Sequence, residues 1–284
     1  MKTIIAKDKK NLQKIIYNEI YKHGLNCDLN HVDVSKITDM SNLFGRSQFN
    51  GDISQWDVSK VKDMSFMFYK SLFNGDISNW NTSRVENLGY IFAVAQFNGD
   101  ISKWNTSNVK NMQSMFYKSQ FNSSISQLDT SKVSNMSGMF SCSKFNGDIS
   151  QWNTSNTDNM EDMFFKSDFN GNISQWDVSN VTNMGDMFMS SKFNGDISGW
   201  DVSKVTNMRC MFKDSQFNGD ISQWYAKSVE EIFLFLDNCQ APPPYWSAIK
   251  HKEDRQDAIE IYKTHKTLNK SLRNINNKSH VLKL

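Results

Sequence analysis

Histidine is missing from most of this 284-residue chain: all five histidines lie outside the stretch from Val32 to Tyr245. That absence excludes a catalytic Ser-His or Cys-His pair there, and a histidine-based metal site as well. No Gly-x-x-x-x-Gly-Lys-Ser/Thr phosphate-binding loop occurs either. We therefore expect no catalytic residues, no cofactor and no enzymatic activity.

Proline and cysteine are scarce as well. The three prolines stand together at 242–244, so none interrupts the chain before that point. The cysteines show no CxxC spacing, which argues against a disulfide framework, and free thiols suit a reducing compartment. There are four of them: Cys27, Cys142, Cys210 and Cys239.

Long apolar runs are missing too, so no stretch is expected to span a membrane. The N-terminal segment lacks the apolar core and cleavage site of a secretion signal, and we expect a soluble monomer. The net charge is +2. Residues 1–24 carry six lysines and two acids (+4), and residues 247–284 carry nine basic and four acidic residues (+5). Residues 25–246 therefore carry a net charge of −7. Basic ends attract nucleic acid, but the tail has no interleaved aromatic residues to stack bases. A nucleic-acid partner is therefore not expected.

What the chain has instead is a strict repeat. From Leu25 to Gln240, units of 24 residues follow one another without insertion, and 216 residues divided by 24 gives nine units, which we call coils. A fixed period of about 20 to 50 residues is typical of solenoids, which stack their units and bind partners through long surfaces. Phenylalanine opens eight of the coils: Phe49, Phe73, Phe97, Phe121, Phe145, Phe169, Phe193 and Phe217.

The coils repeat apolar residues at fixed positions. Position 5 is Ile in eight coils, position 8 is Trp in seven, and positions 16, 19 and 20 are mostly Met, Met and Phe. Such ladders predict a continuous buried core. A Met-rich stripe can also be a surface for a metal or for varied partners, but its alternation with Phe and Trp favours the core.

Within a coil, the spacing predicts a short strand followed by a short helix. Val61, Met64, Met67 and Phe68 would share one helical face, whereas residues 51–56 would be extended. Successive strands would then form one parallel sheet. The predicted fold class is α/β: a leucine-rich-repeat-like solenoid of nine strand-turn-helix coils with terminal caps.

Both ends depart from the repeat, as the ends of a solenoid must. Residues 1–24 read as a strand-and-helix cap, in which Asp8 starts a helix that runs to His23. Residues 25–240 form the repeat solenoid. Residues 241–284 are expected to form a C-terminal helical cap, with a helix near 253–268, and a basic tail.

Polar ladders accompany the apolar ones. Position 2 is Asn in all nine coils, and its amide can satisfy backbone groups from coil to coil. The Gly that usually follows at position 3 suggests a turn with φ > 0. Aspartates recur at positions 4 and 9, and we expect hydrogen bonds within turns to compensate their charge, with bound Ca²⁺ as the alternative.

A partner would bind where the coils differ. Positions 18, 21 and 22 vary and flank the predicted core, so they would present a stripe of aromatic rings beside lysines, which is typical of an interface. The alternative is that these rings pack between neighbouring units. A second candidate surface, the polar face at positions 4, 6 and 7, suits a protein, a glycan or only water. The candidate partner-binding residues are Phe66, Tyr69, Lys70, Tyr90, Tyr117, Lys118, Phe165, Lys166 and Met189.

The unit FNGDISQWDVSNVTNMxxMF, seen nearly whole at 169–188 and 193–212, resembles the tandem repeat of the BspA-like leucine-rich repeat surface proteins. The resemblance covers 25–240 and implies a non-enzymatic solenoid that binds proteins in surface adhesion or host interaction. It also implies a cell-surface or secreted location, whereas the missing signal peptide and the free cysteines suit the cytoplasm. The alternative function is therefore an intracellular inhibitor or effector that binds one protein.

Overall fold

The computed structural model describes residues 3–249, 251–262 and 264. Helix and multi-residue strand are found only near the two ends of this described chain. Near the C-terminal end, residues 252–262 are helical. Most of the remainder of the helix predicted there, and the basic tail, lie outside the described residues.

The N-terminal end folds around one helix, which forms where the sequence predicts it. Helix α1 (Lys9–His23) is capped by Asp8, whose carboxylate accepts a backbone N–H at 2.7 Å. It ends at Gly24, which has a φ of 87°. Strand β1 (Ile4–Ile5), before the helix, pairs in parallel with β2 (Val32–Asp33), after it. The helix and the strand pair therefore tie the N-terminal segment to the first coil.

The nine coils stack in parallel register, each hydrogen-bonded to the next. Parallel bridges join position 15 of successive coils. Beyond that bridge, the N–H groups of positions 16, 18, 20 and 22 donate to carbonyls at positions 15, 17, 19 and 21 of the following coil. Four such bonds join every pair of neighbouring coils, and in the second coil they measure 2.9–3.0 Å. Their donors there are Met64, Phe66, Phe68 and Lys70.

The strand-turn-helix unit predicted for each coil is wrong. Positions 17–22 form consecutive turns, in which the N–H of positions 19, 21 and 23 donates to the carbonyl three residues earlier. A helix cannot continue there because positions 18 and 22 have φ of 49–61° in all nine coils, the left-handed region. Residues 51–56 contain one isolated bridge, at Asp52, and no strand. The predicted parallel sheet is therefore reduced to isolated bridges.

Stacked phenylalanine rings fill the interior. The position-1 rings of Phe73 and Phe97 lie 6.4 Å apart, and the position-20 rings of Phe68 and Phe92 lie 5.9 Å apart. Phe68 also contacts Phe73 at 4.4 Å, which joins the two columns. The methionines at positions 16 and 19 are fully buried beside them, so the methionine stripe belongs to the core.

The position-8 tryptophans are held by hydrogen bonds as well as by stacking. The indole of Trp80 donates to the carbonyl of Ile53 in the preceding coil at 3.2 Å, and its ring lies 6.5 Å from that of Trp104. Seven tryptophans donate in this way, at 3.0–3.2 Å. A buried indole N–H usually finds an acceptor, and the regular stack supplies one to each of these seven tryptophans.

The asparagine ladder satisfies backbone groups from coil to coil, as expected. The side-chain oxygen of Asn50 accepts the N–H of Asn74 at 2.8 Å, and the same bond recurs along the ladder. The prediction of φ > 0 at position 3 is wrong, since Gly75 does not have a positive φ. Glycine relieves crowding there instead, because a Cβ on Gly75 would lie 2.9 Å from the ring of Phe73.

The left-handed positions predict a stabilising substitution. Val94 has a φ of 58°, which is unfavourable for a β-branched side chain. We expect Val94→Asn to raise the free energy of unfolding by about 1 kcal/mol, because Asn tolerates this backbone. Urea denaturation measures the change. The reverse control, Ser190→Val at an equivalent position, should lower the free energy of unfolding by a similar amount. If both substitutions changed the free energy of unfolding in the same direction, the argument would be contradicted.

Candidate functional site

The turns at positions 17–22 decide which side chains reach the surface. In the second coil, Met64, Met67 and Phe68 point inward and are fully buried, whereas Phe66 is 37% exposed. Lys70 is exposed as well. The left-handed positions 18 and 22 of this coil therefore carry their side chains on the outside, and the predicted site residues found there lie on the surface.

Three of the predicted rings lie together on the surface. The ring of Phe66 lies parallel to that of Tyr90 in the next coil, with centroids 4.5 Å apart and 6° between the planes. Tyr69 meets Phe66 edge-on, at 5.6 Å and 80°. Stacked and edge-on contacts of this kind are favourable. Tyr69 and Tyr90 are half-buried, so the cluster has faces open to solvent.

Two cations lie over the same cluster. The Lys70 ammonium is 5.3 Å from the centre of the Tyr69 ring, and the Arg46 guanidinium is 5.9 Å from it, both within range of a cation–π interaction. Sequence reasoning misses Arg46 because it belongs to the degenerate first coil, although it shares position 22 with Lys70. We call Arg46, Phe66, Tyr69, Lys70 and Tyr90 the aromatic cluster.

The other predicted residues do not join this cluster. Lys118 lies 5.1 Å from the centre of the Tyr117 ring, and Lys166 lies 5.0 Å from that of Phe165. A hydrogen bond with Tyr117 raises the pKa of Lys118. Met189 is half-buried, and its carbonyl accepts the N–H of Lys166 at 2.9 Å. The stripe expected from the sequence is thus divided into one cluster and two separate pairs.

Carboxylates replace the rings at position 18 in later coils. Asp162 and Asp186 occupy this position in the sixth and seventh coils, and Arg209 pairs with Asp186 at 3.2 Å. Burial, together with the charges of Asp186 and Glu161, raises the pKa of Asp162 to about 6. Position 18 therefore changes from aromatic in the second and third coils to acidic in the sixth and seventh.

A basic depression lies at positions 12 and 14 of the second to fifth coils, and sequence reasoning misses it. The carboxylate of Glu86 sits between two ammonium groups, 2.8 Å from Lys110 and 3.6 Å from Lys62. Arg84 and Lys132 also line the depression. Aligning the coils would have found it, because position 12 is Lys or Arg in five of the nine. Four cations around one carboxylate make this face locally positive on an otherwise acidic array.

The aspartates at positions 4 and 9 are used within turns. The carboxylate of Asp76 accepts the Ser78 N–H at 2.9 Å, and that of Asp57 accepts the Ser59 N–H at 3.0 Å. Hydrogen bonds from the backbone and hydroxyl of these serines lower the pKa of both aspartates. Among the residues that the structure describes, no group of three or more His, Cys, Asp or Glu side chains could hold a metal ion.

A family model described as "Mycoplasma protein of unknown function, DUF285" matches the chain in three overlapping segments, at residues 10–120, 92–168 and 142–243. Together they extend from residue 10 to residue 243, well over half of the chain. No curated protein and no solved structure matches it. Within the described residues, no helix has the length and apolar character needed to cross a membrane.

The raised pKa of Asp162 predicts a pH-dependent gain in stability. Folding disfavours its ionised form, since the pKa rises from 3.8 to about 6. A shift of this size corresponds to about 3 kcal/mol, reduced to about 1–2 kcal/mol because the group is partly exposed. We expect Asp162→Asn to raise the free energy of unfolding by that amount at about pH 8. The gain should decline below about pH 6 and vanish below about pH 4, where the unfolded chain is protonated too.

Urea denaturation across this pH range measures the effect. The exposed Asp148, whose pKa is lowered by hydrogen bonds from Ser150, provides the control Asp148→Asn, which should give no gain at pH 8. Asp162 is also left-handed, with a φ of 56°. A gain that does not change with pH would therefore assign the effect to the backbone preference of Asn and not to the charge.

Proposed function

The chain belongs to the DUF285 family of repeat proteins, and we propose that it is a non-enzymatic module that binds a protein partner through the aromatic cluster. We further propose that its stacked coils are a leucine-rich-repeat-like solenoid of the BspA-like type. Surface adhesion or host interaction is the role that this resemblance favours.

The backbone at Phe66 and Tyr90 carries the proposal. Both residues are left-handed, with φ of 58° and 59°, a region that disfavours bulky side chains. Most other coils place a short polar residue or Gly at position 18. Every coil is left-handed at this position, so the backbone itself belongs to the stack. Two bulky rings placed where a shorter residue would strain the chain less support a binding role.

Exposure and charge around the rings also support binding. More than a third of Phe66 remains exposed in the folded chain, so a partner that covers it gains the free energy of burying apolar surface. Tyr and Arg are enriched among the residues that contribute most to interfaces, and both lie in the cluster, as Tyr69, Tyr90 and Arg46. Because Lys70 and Arg46 flank the rings, we expect the partner to present apolar groups beside a carboxylate.

The four unpaired cysteines support the second candidate function, an intracellular inhibitor or effector of one protein. Burial raises the pKa of the Cys27 and Cys210 thiols, which lowers their reactivity. Free thiols are usual in proteins of a reducing compartment. The compartment from which a partner is captured separates this function from adhesion.

The double substitution Phe66→Asn/Tyr90→Asn tests the proposed site. Asn suits a left-handed backbone and occupies the same position in the first coil, as Asn42, so the variant should fold. We expect the immobilised full chain to capture a protein from host-cell surface extract. The variant should bind that protein at least about 100-fold more weakly, as is typical when interface anchors are removed. Titration calorimetry on the purified pair measures the loss.

Ser190→Asn is the matched control, since it changes another left-handed position five coils away from Phe66. It should bind as the unmodified chain does. If the double variant is folded by circular dichroism and still binds normally, the aromatic cluster is not the binding site. If the full chain captures a partner only from cytosol and the double variant loses that partner, the result would favour the inhibitor or effector function.

A further inference from the structure

The row of hydrogen bonds between coils stops at the ninth coil with its donors open. In each of the eight interfaces, positions 16, 18, 20 and 22 donate to the following coil. Within the described chain, the corresponding N–H groups of the ninth coil donate to no backbone or side-chain acceptor. These four donors belong to Ile232, Leu234, Leu236 and Asn238.

The helix at 252–262 leaves this row uncovered. It crosses the ninth coil before the turns begin, where the buried Arg255 donates to the carbonyl of Val229 at 2.9 Å and a lysine of the helix pairs with Glu230. Its contacts therefore hold the end of the core without reaching the open amides. We call residues 232–238 the C-terminal edge.

The C-terminal edge exposes a large apolar side chain at a position that is polar or Gly in the other coils. Phe233 is 68% exposed, at position 17, where the other eight coils carry Ser, Gly, Gln, Glu or Arg. Ile232, Leu234 and Leu236 are each partly exposed beside it. An apolar edge with unpaired backbone donors is a template for another polypeptide.

We propose that the C-terminal edge binds an apolar segment of a partner protein by backbone addition. The segment takes the place of a tenth coil: its carbonyl oxygens accept the four open N–H groups, and its apolar side chains cover Phe233. Peptide carbonyls are the acceptors of this row in all eight interfaces, and recognition by backbone addition is an established mode of peptide binding. This site is separate from the aromatic cluster and does not depend on it.

A second copy of the chain fits the edge less well. Two C-terminal edges would face each other with donors only, so they cannot form the row. The first coil does offer carbonyls, but α1 packs across it, with Lys9 bound to Asp39 at 3.0 Å. If the ninth coil of one copy approached the first coil of another, the helix at 252–262 of the former would collide with α1 of the latter. A single polypeptide segment needs much less room.

Amide hydrogen exchange on the full chain, followed by NMR, tests the proposal. In the free chain, the four edge amides should exchange at least about 100-fold faster than their bonded counterparts in the eighth coil, because hydrogen-bonded core amides need an opening event. The probe is a synthetic peptide of residues 205–216, whose carbonyls accept this same row within the array. Excess peptide should slow exchange at the edge about 10-fold or more, and a scrambled peptide should not.

Matched variants locate the response. Phe233→Asp should abolish the slowing of edge-amide exchange by the peptide. Leu72→Asp should leave that slowing unchanged, since Leu72 is an exposed apolar residue whose N–H is already bonded to the Ser47 carbonyl. No response to millimolar peptide overturns the proposal. Slow exchange in the dilute free chain also overturns it, because the chain would then cover its own edge. Protection that rises with chain concentration, with a doubled mass in sedimentation, overturns it in favour of a second copy.

Discussion

The four backbone hydrogen bonds between neighbouring coils are the constraint on which the rest of the structure depends. Buried peptide groups must find partners, and almost no helix or sheet supplies them within the repeats. To direct alternate N–H groups at the next coil, the chain turns through the left-handed region twice in every coil, and only one of those positions, Gly138, is glycine. This arrangement costs backbone free energy, which the interleaved Phe, Trp and Met side chains must offset through burial.

The 24-residue period predicts the stack and the identity of its core, but it does not predict the path of the chain. Phe49, Trp56 and Met64 are buried as their ladders indicate. The spacing of Met64, Met67 and Phe68 fits one face of a helix, yet consecutive turns place the same residues inward. Periodicity reports which side of the chain a residue faces. The left-handed positions that distinguish turns from a helix carry residues as different as Phe66 and Lys70, which hides the preference for Asn, Asp and Gly that position 18 shows in other coils.

The candidate site was predictable where it follows the register of the stack and not elsewhere. Phe66 and Tyr90 share position 18 in adjacent coils, so a spacing of 24 brings their rings together. Tyr117 is at position 21, where the neighbouring coils carry Ala93 and Ser141, and it therefore contacts no ring of the cluster. In a stack of this kind the neighbours of a surface residue lie 24 residues away on either side, and the coil-to-coil comparison must be made at one position at a time.

The stack has a direction, and its two ends pose different problems. The first coil offers carbonyls and the ninth offers amides, so no single kind of end helix satisfies both. At the N-terminal end, α1 buries Leu12 and Ile16 on the core. At the C-terminal end, the helix at 252–262 holds the core but leaves the amide row open. Proline and unpaired charge are the usual means of blocking such an edge. Residues 232–238 contain no proline, and their one acid, Asp237, is paired with Lys213. The stack is thus closed at its core and remains able to accept a further backbone along its turns.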